Sequence, residues 1–404
     1  MTVKLYETDG MLAKIKATVT GAAQKDGAYY ITLDKTIFAP EGGGQKADTG
    51  TLVTVNDGTN ASGAGDIQLL DGQDRVKDLA LEGPVYRISE PLSVGDEILC
   101  KLNWEQRFMR MQQHSGEHIL SGLIHSNFGY ENISFHLSDI EPVILCFNGV
   151  LNADDISRME RLANEAVWQD LPITASFPSA EELAAITYRS KKELKGQVRL
   201  VTIPGIDVCA CCAPHLPTTG RIGLIKILSS CAYKGGTQLN ILCGGRALEL
   251  VQKEHAQFME LGREYSTSLE KLPQVILSQK EELKTAREQL AAYTEAQLLS
   301  QIDALKDTDV PCLFGENLSP HAMKICYNAL CKKFDRFCGV FSKTGKDSYQ
   351  FYAGHSSRNS TEIAPLMRVR LGVMGGGSKE MIQGKVQRKE EEIRLFFRDL
   401  SEYV

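Results

Sequence analysis

The stretch that decides how this chain folds is Gln112-Gln113-His114-Ser115-Gly116-Glu117-His118-Ile119-Leu120. His114 and His118 are four residues apart, within a pattern of apolar residues that is typical of an amphipathic helix. Residues four apart lie on the same face of a helix, one turn from each other, so both imidazoles can reach a single point. We expect this helix to begin near Asn103, a favourable N-cap residue. On their own, two histidines at this spacing are more often surface or core residues than a pair of ligands, and only a second half-site elsewhere in the chain makes them half of a metal site.

A second stretch, Cys209-Ala210-Cys211-Cys212-Ala213-Pro214-His215, repeats this spacing between Cys211 and His215. Pro214 favours a loop or turn, because proline disrupts a helix interior. Three imidazoles and one thiolate are ligands suited to tetrahedral Zn²⁺. The other two cysteines of the stretch are alternatives to Cys211 as the thiolate. A purely structural zinc ion is also an alternative, because four protein ligands close the tetrahedron, whereas catalysis needs an open position.

The first stretch also fits a protease pattern. From His114 to His118 it matches H-x-x-E-H, in which Glu117 would be the general base of a metalloprotease. That interpretation requires a distal carboxylate as the third ligand, and Glu193 is a candidate. It leaves the Cys-x-x-x-His half-site without a role, so the protease is the remote alternative.

Composition predicts a soluble protein with several domains. The 404 residues exceed one ordinary domain, so about two to four domains are expected. The hydrophobic fraction of 43% and the charged fraction of 24% are typical of globular proteins, and no apolar run reaches the roughly 20 residues of a membrane span. Residues 1–10 lack the apolar core of a signal peptide, so we expect a cytoplasmic location with reduced cysteines. The net charge of −6 argues against coating of nucleic acid by bulk electrostatics, but it is compatible with a local basic patch.

Changes of residue pattern divide the chain into four segments and predict a multidomain α+β fold. Residues 1–92 alternate polar and apolar residues between turn-formers, which predicts a small β-barrel. Residues 93–250 mix helical and strand patterns and contain both metal half-sites. In residues 251–306 glycine is rare and apolar residues recur at heptad spacing around Pro273, which predicts two helices folded as a coiled-coil hairpin. Residues 307–404 predict a mixed α/β domain, and a homodimer through the hairpin and this domain fits the pattern.

Two glycine-rich stretches lie outside the metal half-sites. In the predicted barrel, Glu41-Gly42-Gly43-Gly44-Gln45 lets the backbone adopt positive φ or approach another group closely. A flexible hairpin loop is the simpler explanation, and the absence of a following Lys-Ser/Thr argues against a phosphate loop. Near the C-terminus, Gly375-Gly376-Gly377-Ser378-Lys379 is a weak indication of contact with an RNA backbone through Gly376, Gly377 and Lys379, against the alternative of an ordinary turn.

Three separated motifs resemble one protein family. The two metal half-sites, residues 113–121 and 211–215, resemble those of alanyl-tRNA editing domains. Residues 40–45 and 134–137, Pro-Glu-Gly-Gly-Gly-Gln and Ser-Phe-His-Leu, are similar to segments of these domains and of the free-standing editing proteins called AlaX. The predicted hairpin and the C-terminal glycine cluster resemble the C-terminal domain of alanyl-tRNA synthetases. The resemblance covers nearly the whole chain, and we expect no aminoacylation domain, as in the long form of AlaX.

The resemblance implies hydrolysis of the ester between a wrong amino acid, chiefly serine and also glycine, and tRNA(Ala). A pocket built for alanine cannot strongly reject amino acids of similar size, so a second site must remove the error. The resemblance further implies that a zinc ion is held by four side chains: His114, His118, Cys211 and His215.

It also implies roles for the neighbouring residues. Ser115 would face the hydroxyl group of the substrate serine. Gly43 and Gly44 would approach the substrate or the acceptor end of the tRNA, and Gln45 would contact it. Glu117 would orient a ligand or a water molecule.

Two departures from the family pattern leave alternatives open. The usual Cys-Gly-Gly-Thr-His is Cys-Cys-Ala-Pro-His in residues 211–215, which is closer to the editing domain of threonyl-tRNA synthetases. Residues 237–239, Thr-Gln-Leu, replace an arginine pair of the synthetases. Removal of serine from tRNA(Thr) is therefore an alternative substrate choice. A zinc-stabilised tRNA-binding protein without hydrolytic activity is the alternative from a different functional class.

Overall fold

The N-terminal strands form a closed barrel and a short parallel pair. The structure, a computed structural model, describes residues 2–55, 66–77, 79–190 and 196–402. In chain order its first strands are β1 (Val3–Lys4), β2 (Lys14–Lys25), β3 (Ala28–Leu33), β4 (Lys35–Thr36), β5 (Gly50–Thr54), β6 (Ile67–Gln73), β7 (Val85–Ile88) and β8 (Glu97–Leu102). The barrel closes in the order β2-β3-β7-β6-β5-β8, while β1 pairs with β4. Inward-facing residues at alternate positions, such as Val19, Ile31 and Ile98, fill its core.

These strands confirm the predicted N-terminal barrel within a multidomain α+β fold. The closing strand β8 lies beyond residue 92, where we expected the next domain to begin. Its apolar residues alternate with polar ones as in the earlier strands, and they complete the barrel core.

A mixed region of helices and sheets follows the barrel. Its elements are α1 (Trp104–Phe128), β9 (Asn132–His136), β10 (Val143–Phe147), α2 (Ala153–Trp168), β11 (Thr174–Ser176), α3 (Ala180–Ala185), β12 (Leu200–Ile203), β13 (Asp207–Ala210), β14 (Ile225–Tyr233) and β15 (Gly236–Cys243). The strands form a four-stranded sheet in the order β14-β15-β10-β9 and a three-stranded sheet in the order β11-β12-β13. Apolar residues of α1, α2 and the larger sheet, among them Leu120, Met159 and Leu239, share one core.

Helix α1 is held on both sides by buried polar side chains. Asn103 caps it, as predicted, by accepting a hydrogen bond from the Gln106 main-chain N–H. The Gln113 amide donates to the Cys243 carbonyl at 2.6 Å and accepts from the Cys243 N–H at 2.9 Å. On the barrel side, the buried Arg107 guanidinium donates to both oxygens of Asp48. The helix that carries both histidines is therefore fixed to the sheet and to the barrel.

Two long helices come next. They are α4 (Gly244–Glu264) and α5 (Leu272–Ala304), and Pro273 lies in the first turn of α5, where proline is tolerated. The break between the helices therefore precedes Pro273. Their packing as a hairpin stays a prediction. The chain divides into two compact units, Met1–Phe258 and Met259–Val404.

The second unit contains a five-stranded sheet and three further helices. After α5 come β16 (Cys312–Glu316), α6 (Pro320–Lys333), β17 (Cys338–Gly345), β18 (Ser348–Gly354), α7 (Ala364–Leu371), β19 (Met374–Gly377), β20 (Ile382–Gln387) and α8 (Glu390–Glu402). The strand order is β16-β17-β18-β20-β19, with only β16 and β17 parallel. Over the described ranges, no helix is both long enough and apolar enough to cross a membrane.

Candidate metal centre

The structure brings the two predicted half-sites together. Ligand atoms of His114, His118, Cys211 and His215 all lie within 4.8 Å of one another. The Cys211 Sγ atom is 3.6 Å from His114 Nε2 and 3.4 Å from His215 Nε2. A tetrahedral ion with bonds of about 2.0 Å to nitrogen and about 2.3 Å to sulfur would place such atoms about 3.5 Å apart. The observed separations therefore fit one ion among these donors.

Each imidazole contacts a second residue through its Nδ1 atom, so its Nε2 atom is available to bind an ion. The Nδ1 atom of His114 is 3.3 Å from Gln45 Oε1, and that of His118 is 2.9 Å from Asp207 Oδ2. The Nδ1 atom of His215 is 3.2 Å from the Ser115 hydroxyl. The amide and carboxylate oxygens can only accept a hydrogen bond, so the proton of a neutral ring belongs on Nδ1. Outer partners of this kind orient metal-binding histidines.

Electrostatics within the group favour the charge states that metal binding requires at Cys211 and His215, but they favour a protonated ring at His118, from which an ion would have to displace a proton. Burial alone would raise the pKa of Cys211, but the neighbouring His114 and His215 lower it well below the usual thiol value. Burial lowers the pKa of His215 to about 3, so this ring is neutral at physiological pH. For His118, burial opposes protonation, but hydrogen bonds to Asp207 and Cys211 raise the pKa. The centre thus combines a thiolate with nitrogen donors.

The glycine-rich stretch of the barrel forms a tight turn beside His114. Gly42 and Gln45 exchange both main-chain hydrogen bonds, and the two residues between them have positive φ, +61° at Gly43 and +81° at Gly44. This is the geometry of a two-residue hairpin of type I′, which glycine adopts without strain. A side chain at Gly44 would meet the ring of Phe135 at 2.7 Å, and that ring packs on His114 with centroids 5.1 Å apart. The turn, the ring and the metal ligand are therefore in close contact.

A cavity of about 900 Å³ opens beside this group. His114, His118 and Cys211 contribute to its wall, together with Gly43, Gly44, Ser134, Phe135, Phe177, Gln197, Arg199 and other residues. A volume in this range is typical of sites for small ligands and cofactors.

Three predicted site residues lie behind the cavity wall. Ser115 is fully buried, and its hydroxyl contacts His215 and the Leu216 main-chain N–H. Gln45 is buried against His114, as described above. The Glu117 carboxylate accepts hydrogen bonds from Ser121 and Asn132, both at 2.7 Å. The predicted substrate contacts of Ser115 and Gln45 stay predictions, whereas their observed contacts are with metal-site histidines.

The other predicted residues lie elsewhere. Cys209 belongs to a neighbouring group with His118 and Asp207, while Cys212 is exposed next to the glycine turn. Glu193, the carboxylate that the protease alternative requires, lies outside the described residues.

The C-terminal glycine cluster lies in the second unit, on β19. A side chain at Gly377 would come within 2.1 Å of the Met381 carbonyl, so the close approach of β20 explains this glycine. At Gly376 the space is open. Lys379 follows the strand, and the predicted contact of these residues with RNA stays a prediction.

Two residues of the centre were missed by sequence reasoning. Asp207 holds His118, and Arg189 in turn donates to both oxygens of Asp207 at 2.8 Å. Asp207 and Cys209 are buried on the same face of β13, and a charged residue at an inward position of a short strand was the available signal. Arg189 gave no such signal, because its partner is distant in sequence.

Comparison with known proteins shows what this chain is similar to. Residues 198–239, which include the Cys-x-x-x-His half-site, match the family model described as the threonyl and alanyl tRNA synthetase second additional domain. Editing proteins and a synthetase are among the similar whole proteins. The chain is 29% identical over 249 residues to the alanyl-tRNA editing protein Aarsd1 of Danio rerio, covering 60% of this chain and 56% of the relative.

Two further proteins extend the comparison. The alanyl-tRNA editing protein AlaX-L of Pyrococcus horikoshii is 28% identical over 284 residues, which cover 68% of this chain and 64% of the relative. The alanine–tRNA ligase of Ignicoccus hospitalis is 28% identical over 324 residues, covering 76% of this chain and 33% of the ligase. The chain is thus similar to alanyl-tRNA editing proteins, as the sequence motifs predicted, and it spans about half of the length of the Danio rerio relative.

Proposed function

We propose that this chain is a trans-acting hydrolase that removes a wrong amino acid from tRNA(Ala), chiefly serine and also glycine. The observation that carries the proposal is the group His114, His118, Cys211 and His215 beside a cavity of about 900 Å³. The relatives named as alanyl-tRNA editing proteins support the choice of substrate class.

Zinc is the ion that this donor set favours. Mixed nitrogen and thiolate ligands in a tetrahedron are the usual environment of Zn²⁺, and outer partners on all three rings support a preorganised site. A bound zinc ion supplies Lewis-acid polarisation of the ester carbonyl.

The residues around the cavity would position the ester. The turn at Gly43 and Gly44 carries no side chains, so the acceptor end can approach the backbone closely. The Phe135 ring, packed on His114, would limit the space beside the metal and exclude water from one side. The cavity is larger than one amino acid requires, which supports room for the terminal nucleoside as well.

Two other functions follow from particular observations. Four protein donors complete a tetrahedron, which favours a structural ion and a tRNA-binding protein without hydrolytic activity. The family model covers threonyl as well as alanyl synthetases, which favours Ser-tRNA(Thr) as a second substrate. Metalloprotease chemistry has less support, because Glu117 is buried, engaged by Ser121 and Asn132, and absent from the described wall of the cavity.

Deacylation assays separate these functions. Purified protein should release free serine from Ser-tRNA(Ala) and glycine from Gly-tRNA(Ala), leave Ala-tRNA(Ala) intact, and act more slowly on Ser-tRNA(Thr). Replacing His114 and His118 by alanine should abolish release. Metal binding without release from any of the four substrates would favour the binding protein, and faster release from Ser-tRNA(Thr) would reassign the tRNA.

Assembly and location complete the proposal. Ile276, Leu283 and Leu290 recur at heptad spacing on α5 and are exposed, which supports a homodimer. Light scattering of the purified chain should give twice the monomer mass, and Leu283→Glu should halve it. We also propose tRNA contact by Gly376, Gly377 and Lys379, and a cytoplasmic location.

A further inference from the structure

Two possible metal-binding groups overlap at His118. One is the group of four described above, and the other consists of His118, Asp207 and Cys209, whose ligand atoms also lie within 4.8 Å of one another. His118 can serve both groups because its ring has two nitrogen atoms. Its Nδ1 atom is 2.9 Å from Asp207, which leaves Nε2 for the group of four. A feature of the protein must therefore decide which group receives the ion.

Arg189 occupies the carboxylate that the smaller group would need. Its Nε atom donates to Asp207 Oδ1 at 2.8 Å, and its Nη2 atom donates to Oδ2 at 2.8 Å. The side chains of both residues are almost completely buried. Main-chain hydrogen bonds join Arg189 to Val208 and Ala210, on either side of Cys209, so the arginine is anchored along β13. Arg189 and Asp207 therefore form a buried bidentate ion pair rather than a surface ion pair.

This contact weakens the smaller group in two ways. With His118 as a third donor, both oxygens of Asp207 are engaged, and an ion would have to displace one of these hydrogen bonds. The positive charge of Arg189 also repels a cation at this position, and that repulsion is strong because the environment is buried. Among the described residues, the histidines of the group of four have Gln45, Asp207 and Ser115 as outer partners, and the cation of Arg199 donates to the Cys211 main-chain carbonyl at 2.8 Å rather than to a ligand atom.

We propose that Arg189 is a positioning residue that commits Asp207 to His118 and so directs the ion to His114, His118, Cys211 and His215. The inference rests on the proposed metal centre. It adds that without Arg189 the released carboxylate becomes a ligand itself.

Cobalt binding tests this inference without any measurement of hydrolysis. Metal-free full-length protein is titrated with Co²⁺, and visible absorption reports coordination, because four-coordinate Co²⁺ absorbs several-fold more strongly than five- or six-coordinate Co²⁺. Wild-type protein should bind one Co²⁺ with an intense four-coordinate spectrum and a thiolate charge-transfer band. In Arg189→Met, Co²⁺ should move to Nδ1 of His118, Asp207 and Cys209, where water would complete a five- or six-coordinate shell, so the absorption per bound Co²⁺ should fall several-fold.

A double variant separates the role of Arg189 from a general loss of structure. Arg189→Met/Asp207→Asn lacks the released carboxylate, so the four-coordinate spectrum should return, with affinity about tenfold to a hundredfold weaker than wild type because His118 has lost its charged acceptor. Arg189→Lys keeps the positive charge but loses the bidentate contact, so its spectrum should lie between those of wild type and Arg189→Met. This conservative variant tests the inference if Arg189→Met does not fold.

Asp139→Asn is the matched control. Asp139 accepts hydrogen bonds from Arg110 Nε at 2.8 Å and Nη2 at 2.6 Å, which is the same bidentate geometry. Its third hydrogen-bond partner is Gln106 rather than a histidine of the metal centre. It should leave Co²⁺ affinity and spectrum unchanged. A wild-type spectrum in both Arg189→Met and Arg189→Lys would overturn the inference. Absence of Co²⁺ binding by wild-type protein would overturn the metal centre with it, whereas binding without deacylation would overturn only the proposed function.

Discussion

Cys211 in the first unit and Cys312 in the second show how differently the same residue behaves in two neighbourhoods. Cys211 has three imidazoles around it, and its pKa is lowered well below the usual thiol value despite burial. Cys312 lies in an apolar core with Phe341 and Phe351, and burial raises its pKa. The environment of Cys211 favours the thiolate that binds a metal, whereas the environment of Cys312 favours the neutral thiol of a core residue. Tertiary neighbours, rather than the number of cysteines, decide the chemistry.

The largest expected difference is in metal affinity. Cys211→Ser should weaken zinc binding by about a hundredfold or more, because it removes the only thiolate of the group. Cys312→Ser should leave zinc affinity unchanged and instead lower the free energy of unfolding by about 1–3 kcal/mol, since it buries a hydroxyl in an apolar core. Competition with a chromogenic chelator and thermal unfolding measure the two effects. Equal zinc affinities of the two variants would contradict the assignment of Cys211 as a ligand and Cys312 as a core residue.

Thiol reactivity should differ by about tenfold or more in the metal-free protein. A lowered pKa means that Cys211 keeps its thiolate form to lower pH than an ordinary cysteine, so its alkylation should continue at pH values at which that of an ordinary thiol has slowed. A raised pKa means that Cys312 stays a thiol at neutral pH, so its alkylation should increase only in alkaline solution. Iodoacetamide labelling followed by peptide mass spectrometry measures both rates. Zinc should protect Cys211, and labelling of Cys312 first would contradict the assignment.

Two buried serines extend the comparison. Ser115→Ala should weaken zinc affinity by about tenfold, because the hydroxyl that contacts His215 is lost, and should leave the ratio of serine to glycine release unchanged. Ser360→Ala, in the second unit, removes a hydroxyl that donates to the Glu380 carbonyl and accepts from the His355 N–H, and should change stability alone. A changed ratio at normal zinc affinity would instead support direct contact of Ser115 with the substrate.

The smallest difference is expected between two glycines. Gly44→Ala forces a side chain into a positive-φ position against Phe135, which should cost about 1–2 kcal/mol for the backbone alone and slow deacylation. Gly376→Ala enters open space in the second unit and should leave thermal stability close to wild type, so a change in serine release would report on the proposed RNA contact. A loss of deacylation in Gly376→Ala with unchanged stability would favour the predicted RNA contact.

Local spacing predicted the elements of the centre well. The i, i+4 histidines, the Asn103 cap and the loop at Pro214 depend on short-range geometry, and the structure has all three. The direction of neighbouring side chains was harder to predict. Ser115 adjoins His114 in sequence, but adjacent residues do not share a helix face, and its hydroxyl contacts His215, while its predicted contact with the substrate stays a prediction.

Long-range contacts could not be predicted from these patterns. Gln45 meets His114 only because the type I′ turn directs it inward, and Arg189 meets Asp207 only because it lies along β13. Each contact joins segments that are far apart in the sequence, so the local spacing of residues cannot predict it.

X-ray absorption at the zinc edge of the purified protein tests the central claim most directly. It should show one zinc ion per chain with three nitrogen neighbours at about 2.0 Å and one sulfur neighbour at about 2.3 Å. No bound zinc, or a first shell without sulfur, would contradict the assignment of His114, His118, Cys211 and His215 as its ligands.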